Sequence, residues 1–279
     1  MLAFFRCHQN SYAINLRGRQ EFDNDSDNGH SDWIFDLVWV DDEFVVSGSR
    51  DNCIALWKVD SHDDEQTSKM SNLFVPEYAI KKPTVVKLCE KAQKVRALSI
   101  NDNRQEMAAL SLNAYFHLWD VQKFQQFYSK KLHCNKENVC MCVSKKKTLY
   151  AIGSQSAVTL IDPRSRNIAS TIMSKHRERG IRSVNFNEEI ITIGTGVGVI
   201  LFYDLRAGKY LEMNCGHACS LTVSQGWLKH DENYHDFFMD QDYPNAIYTH
   251  TYDDSGLRLF AAGGPLPAGL WGNYAGLWY

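Results

Sequence analysis

Four segments of the chain close in the same way, and their spacing constrains the fold more than any other feature. They are Leu56-Trp57-Lys58-Val59, Leu118-Trp119-Asp120-Val121, Leu160-Ile161-Asp162-Pro163 and Phe202-Tyr203-Asp204-Leu205. Trp119, Ile161 and Tyr203 stand 42 residues apart. Trp57 precedes Trp119 by 62 residues, one such period plus an insertion of about 20. A fixed period of this length means one small unit repeated, each unit burying its face against the next.

Inside each repeat lie three short β-branched or aromatic runs separated by polar turns. The middle run is small and apolar every time: VVSGS, AALSL, AIGSQ and TIGTG. Small residues suit a strand packed between neighbouring sheets. A fifth repeat begins at Ala246 and runs into the Trp-rich end of the chain. A period of 40–45 residues closing on Trp-Asp is the WD40 blade signature. The sequence therefore predicts an all-β, WD40-type β-propeller with about five recognisable blades, an incomplete version of a seven-bladed ring. Residues 29–279 form the propeller. Residues 1–28 are a separate N-terminal segment, flexible in its acidic part 20–28. A polar insertion at about 60–93 loops out. Gly226 to Asp242 holds a short helix. The last blade lacks an evident outer strand; either residues 1–19 supply it or the chain is part of a longer propeller, and the second is the expectation.

The formal net charge is −3. A general nucleic-acid binder would carry excess positive charge, so any basic site must be local. The eight cysteines follow no secreted-domain framework, and no run of about 18 apolar residues exists. The expectation is a soluble, intracellular protein with reduced thiols.

The motifs that suggest chemistry have plainer explanations. Gly194-Thr195-Gly196-Val197-Gly198 resembles a phosphate loop, but a strand-like run follows it, so a turn between strands is the better reading. Cys140 and Cys142 alternate on a strand, and Cys215 and Cys219 lack a second ligand pair, so structural thiols are expected and no metal. His230 and His235 are spaced i, i+5 rather than i, i+4. No nucleophile elbow appears. Neither an enzyme nor a cofactor is implied.

The cations are more informative. The turn after a blade's second strand and the start of its first strand lie at one end of a propeller. Arg50 stands in the first kind of place; Lys94, Arg96 and Arg182 stand in the second. Four cations in equivalent places beside a concavity point to anion binding, against the plainer reading of a solvated rim. A second recurring pair, Arg164 and Arg206, stands two residues beyond Asp162 and Asp204, at the opposite end. These are either turn staples or a docking face for a partner protein.

The segments DWIF (32–35), VSGSRD (46–51), KVRAL (94–98), YFHLWD (115–120), ENVC (137–140) and GIRSV (180–184) resemble the family of DDB-one and CUL-four associated factor twelve. GWLKHDE (226–232), PNAIYTH (244–250) and the tail GGPLPAGLWGNYAGLW (263–278) are more specific still. The resemblance runs from about Gly29 to the C-terminus; residues 1–28 fall outside it, and the family's chain is longer at its N-terminus, so an N-terminally partial member is expected. The resemblance implies a WD40 substrate receptor of cullin-four RING ubiquitin ligases, with the DDB-one adaptor as partner and proteins ending in Glu-Glu as substrates. It puts Arg50, Lys94, Arg96 and Arg182 on the degron-pocket positions and Arg164 and Arg206 near the adaptor. It implies cytoplasm and nucleus, with a centrosomal pool allowed, and neither nucleic acid nor membrane as partner. The alternative is a non-catalytic scaffold or regulatory fragment without tail recognition.

Overall fold

The computed structural model describes residues 29–59 and 82–279, except 134, 135, 145, 166, 225, 240, 242 and 268, and the backbone of 2–7 and 10–15. The chain divides into two compact units, Met1–Lys131 and Leu132–Tyr279.

The first unit holds two four-stranded antiparallel sheets and a hairpin. In the hairpin, β1 (Leu2–Cys7) pairs with β2 (Asn10–Asn15). The first sheet is β3 (Ile34–Trp39), β4 (Phe44–Ser49), β5 (Cys53–Lys58) and β6 (Val85–Leu88), side by side in that order. The second is β7 (Val95–Asn101), β8 (Glu106–Ser111), β9 (Tyr115–Asp120) and β10 (Gln125–Lys131). The polar stretch 60–93 is thus not all loop: Val85–Leu88 is the outer strand of the first sheet, with alternating half-exposed residues as an edge position requires. Residues 60–81 lie outside the described residues, as do 20–28.

The second unit repeats the plan three times. Its first sheet is β11 (Cys140–Val143), β12 (Tyr150–Gly153), β13 (Ala157–Asp162) and β14 (Asn167–Met173). Its next is β15 (Ile181–Asn187), β16 (Ile190–Thr195), β17 (Val199–Asp204) and β18 (Lys209–Tyr210), with β19 (Ser220–Thr222) also on β17. The last contains β20 (Trp227–Leu228), β21 (Asn245–Tyr252), β22 (Leu259–Pro265) and β23 (Gly272–Trp278) in the order β20-β23-β22-β21. The outer strand of this sheet therefore comes from Trp227–Leu228, whereas β1 and β2 pair with each other. Gly226 and Gly272 permit this pairing: a Cβ on either would fall 2.3 Å and 2.5 Å from the facing Asn273 and Trp227 carbonyl oxygens. The expected short helix is α1 (Glu232–Phe237), begun by Asp231, whose carboxylate accepts from the Tyr234 amide. Five successive sheets of this pattern make the fold the all-β, WD40-type propeller architecture that the repeat predicts. No helix among the described residues is long and apolar enough to cross a membrane.

The small middle strands have a steric cause. A Cβ on Gly48 would lie 2.6 Å from Val95 of the next sheet, and one on Gly194 would lie 2.7 Å from Ile247. Adjacent sheets pack first strand onto middle strand, and a side chain at these positions would force them apart.

Buried polar networks lie beneath these layers. In the first sheet His30 is 4% exposed. Its Nδ1 lies 3.0 Å from Asp51 Oδ2, and its Nε2 lies 2.7 Å from Ser47 Oγ. The same Ser47 Oγ accepts from Trp57 Nε1 at 2.7 Å. Burial raises the Asp51 pKa, but the His30 hydrogen bond and the Cys53 and Ser31 amides outweigh it and hold the carboxyl below its ordinary value. In the second sheet Ala109 replaces the serine, and Trp119 Nε1 has no partner beyond the Cys89 thiol beside it. His117 and His250 are buried between hydroxyl groups, and burial pushes both down to about 4, so both are neutral at pH 7.

Candidate functional site

The first strands of four sheets carry the same irregularity. Pairing skips one residue between Ile34 and Asp36, Val95 and Ala97, Ile181 and Ser183, and Ile247 and Thr249. The skipped residues are Phe35, Arg96, Arg182 and Tyr248. A β-bulge lifts one side chain out of the in-out alternation of its strand. Two of the four cations nominated from the sequence are therefore bulge residues near the start of a first strand.

In the first unit the structure brings three of the cations to one end. Arg50 occupies the turn after β4, held by its amide donating to the Trp33 carbonyl at 2.8 Å. Two residues on, Asn52 Oδ1 accepts from the Lys94 amide at 2.6 Å, which ties the Arg50 turn to the segment leading into β7. Asn52 and Lys94 both have positive φ, 68° and 60°, so side-chain contacts hold a conformation few non-glycine residues adopt. The Arg96 guanidinium lies 4.4 Å from the Phe35 ring centroid, bulge residue on bulge residue. Arg50 lies 5.7 Å from the Trp33 ring and 3.4 Å from Asp32. Aromatic rings thus back both guanidinium groups. Sequence reading did not assign this role to Trp33 and Phe35; their place in DWIF, beside the cation-bearing turn, was the available signal.

Asp36 is the acidic counterpart of this group. Its carboxylate accepts from the Leu98 amide at 2.7 Å and from the Leu37 amide at 2.9 Å, joining the two sheets. Burial pushes its pKa up from 3.8 to about 6, against the pull of those amides and of Arg96. A neutral Asp36 leaves the cations beside it less compensated. An anion bound there favours the protonated form, so its binding takes up a proton and strengthens as pH falls through about 6. The expected gain between pH 7.5 and 5.5 is about 1 kcal/mol, roughly fivefold, for a ligand whose carboxylates stay ionised. Titrating the affinity of an acidic peptide across this range, for the native chain and for Asp36→Asn, checks it: a flat native profile removes Asp36 from the site.

Arg182 lies in the second unit and already has a partner. Its Nη2 donates to Glu137 Oε2 at 2.7 Å, and its Nε to the Arg179 carbonyl at 3.1 Å. The Arg182 side chain is 17% exposed, so this is a partly shielded ion pair. Gly180, at φ 73°, makes room: a Cβ there would sit 3.0 Å from Glu137 Oε2. Glu137 belongs to the connection before β11 and opens the ENVC segment that resembles the family, but nothing in the sequence marks its pairing with Arg182, 45 residues away.

The second pair of cations lies beyond the ends of β13 and β17. Strands β15 and β17 run parallel to each other across β16, so the end of β17 is opposite the start of β15, where Arg182 stands. Arg164 donates from Nε and Nη2 to the two Asp162 oxygens at 3.0 and 2.8 Å, a staple within one turn. At Asp204 the carboxylate instead accepts from the Arg206 and Ala207 amides, and the Arg206 side chain is exposed. A groove of about 440 Å³ at this end, lined by Lys146, Asn185, Asn187, Thr251 and Asp254 among others, contains neither arginine.

Gly194 and Thr195 end β16, and residues 196–198 make the turn into β17, with Gly198 at φ 79°. Among the described residues no group of three or more His, Cys, Asp or Glu side chains is placed to hold a metal. The family model described as the DDB1- and CUL4-associated factor 12 beta propeller matches residues 23–279. The match starts six residues before Gly29, so part of the N-terminal stretch read as unlike the family falls within it. With the sheets, their bulges and this match together, the chain belongs to the DDB1- and CUL4-associated factor 12 β-propeller family.

Proposed function

We propose that this chain is a substrate-recognition subunit of a cullin-4 RING ubiquitin ligase, docking on the DDB1 adaptor and binding proteins that end in two glutamates. It catalyses nothing itself. The observation that carries the reading is the group Arg50, Lys94 and Arg96, in which aromatic rings back the two guanidinium groups and the Asn52 side chain holds the Lys94 backbone amide. A chain ending in Glu-Glu presents three carboxylates close together. Guanidinium forks bind carboxylates bidentately, and charge-assisted bonds contribute about 1.5–3 kcal/mol each where water is partly excluded. One cation does not separate such a terminus from an ordinary acidic surface; several held in fixed positions do. On this reading Arg182, in the second unit, is a further carboxylate-binding residue, and Arg164 and Arg206 face the adaptor. The work is done in the cytoplasm and nucleus.

The test is fluorescence polarisation with a labelled peptide ending in Glu-Glu, beside its C-terminally amidated twin and a peptide with the pair internal. The free terminus binds and the other two are weaker. Equal affinity for all three sinks the reading. Glu137→Gln removes the carboxylate that occupies Arg182, and up to about fivefold tighter binding is expected.

A second reading, a scaffold whose cationic rim is solvated surface, draws on one observation: Arg50 and Arg182 both already have carboxylate neighbours in Asp32 and Glu137. It predicts no preference for the free terminus and no gain from Glu137→Gln.

A further inference from the structure

The outer edge of the last sheet turns its largest apolar side chains outward. Trp227 and Trp271 are 60% and 67% exposed, whereas their neighbours Leu228 and Gly272 are half-buried. Where β20 pairs with β23, Trp227 faces Asn273 and Leu228 faces Gly272. The Lys229 amide donates to the Trp271 carbonyl at 2.7 Å, which carries the same register one residue further. Directly opposed residues share a face of the sheet, as do alternate residues along a strand. Trp227 and Trp271 therefore stand on one face as diagonal neighbours, about 7–8 Å apart, within reach of a single apolar group. Tryptophan is enriched among the residues that carry binding energy at interfaces, and adjoining exposed apolar groups mark interaction sites.

Helix α1 follows β20 and is held at the same edge. The His230 ring stacks on Tyr234 with 4.3 Å between centroids. Asn233 Nδ2 donates to the Gly269 carbonyl at 2.8 Å, two residues before Trp271. Phe237, one turn beyond Asn233, shares its helix face and is exposed. A helix of six residues has little stability of its own, so these contacts and the Asp231 cap are what fix it there. Glu232 and Asp236 are exposed and stand four residues apart on the adjoining face, and neither has an ion-pair partner among the described residues. Like charges at this spacing repel each other. Beside them a cavity of about 630 Å³ is lined by His230, Asp231, Glu232, Asn233 and His235. Across residues 226–243 five carboxylates stand against one lysine, Lys229, which lies 3.8 Å from Asp231.

We propose that the Trp227–Trp271 pair and the acidic side of α1 form a docking surface for a segment of a partner protein in which apolar side chains alternate with arginine or lysine. The surface is complete within the second unit and does not depend on the tail-binding reading. An apolar side chain laid across the two indoles takes them out of water, and a cation beside it lies over an indole face. A neighbouring guanidinium reaches Glu232 and Asp236 and relieves their repulsion, and the cavity gives its long stem room. The helix and strand pair are already fixed, which lowers the ordering cost of binding. A lipid interface also takes exposed tryptophans, but anionic headgroups would be repelled by the carboxylates alongside.

Three synthetic peptides of equal length test this on the full chain labelled with 5-fluorotryptophan. One alternates leucine with arginine, one has glutamate in place of arginine, and one has serine in place of leucine. Among the fluorine signals of the seven tryptophans, Trp227→Phe and Trp271→Phe identify the two of interest. The leucine–arginine peptide is expected to shift both signals and to bind about tenfold more tightly than either of the others at low salt. In Glu232→Gln/Asp236→Asn, which alters only exposed side chains, its affinity falls about fivefold. In Trp227→Ala/Trp271→Ala it falls about thirtyfold, with the thermal melt as the control for folding.

A native chain that does not bind the leucine–arginine peptide, or binds all three equally, overturns the proposal. So does binding that leaves the Trp227 and Trp271 signals in place, or that is unchanged in the Gln/Asn variant. Self-association lost in the tryptophan variant would show that a second copy of the chain occupies the face instead. Flotation with phosphatidylcholine vesicles, lost in the same variant, would show that a lipid surface does, and either result overturns the peptide reading.

Discussion

Arg96→Glu is expected to weaken binding of a Glu-Glu peptide by about a hundredfold or more, ~3 kcal/mol, with little effect on folding. The loss has two parts. A charge-assisted bond disappears, and a carboxylate takes the place of the guanidinium on the Phe35 ring, where it repels the ligand and gains nothing from the ring's negative face. Asp36 beside it, already raised to about 6, is pushed further up by the new charge. The strands are spared because Arg96 lies in the bulge, between the paired positions Val95 and Ala97. Peptide titration beside a thermal melt tests both halves. Retained affinity removes Arg96 from the site. A melt that collapses would show that the residue serves the fold instead.

Ser47→Ala is expected to destabilise the first unit by about 4 kcal/mol. Ser47 is fully buried, and its hydroxyl is the shared partner of Trp57 Nε1 and His30 Nε2. Truncation leaves two buried polar atoms without that partner, each costing about 1–3 kcal/mol. That is a large fraction of the 5–15 kcal/mol by which a domain is ordinarily stable. The second sheet offers an internal comparison, since Ala109 occupies the matching position and Trp119 lacks an oxygen partner. A urea midpoint moved by the equivalent of less than about 1 kcal/mol would mean that the His30–Ser47–Trp57 chain contributes little.

Much of the architecture was legible in the sequence because its cause is periodic. Val45, Ser47 and Ser49 alternate with Val46 and Gly48 on a strand buried on both faces, and small residues recur wherever the next sheet approaches. The outer strands were not legible: the three runs read in each repeat cover none of them, and two leave no pattern at all. Val85–Leu88 lies behind a long polar stretch, and Trp227–Leu228 is only two residues long, too short for any pattern. For the candidate site, the placement of Arg50, Lys94, Arg96 and Arg182 in turns and strand starts could be read, because those positions follow from the repeat. The bulges could not, since skipping one residue leaves no trace in composition or spacing. Glu137 was equally hidden, because its pairing with Arg182 spans 45 residues and depends on the fold. Arg164 illustrates the reverse: its Asp162 neighbour two residues away was visible, and the turn staple offered as its plain explanation is what forms.

The repeated bulge separates two kinds of information that a strand ordinarily mixes. Elsewhere on β3, β7, β15 and β21, changing a residue alters which side of the sheet is greasy. At Phe35, Arg96, Arg182 and Tyr248 it does not, because the ladder passes over them. These four positions behave like interchangeable keys on an unchanged lock body. A relative with different residues there keeps the same strand pairing, so these positions are free of the ladder's constraint in a way that their neighbours are not.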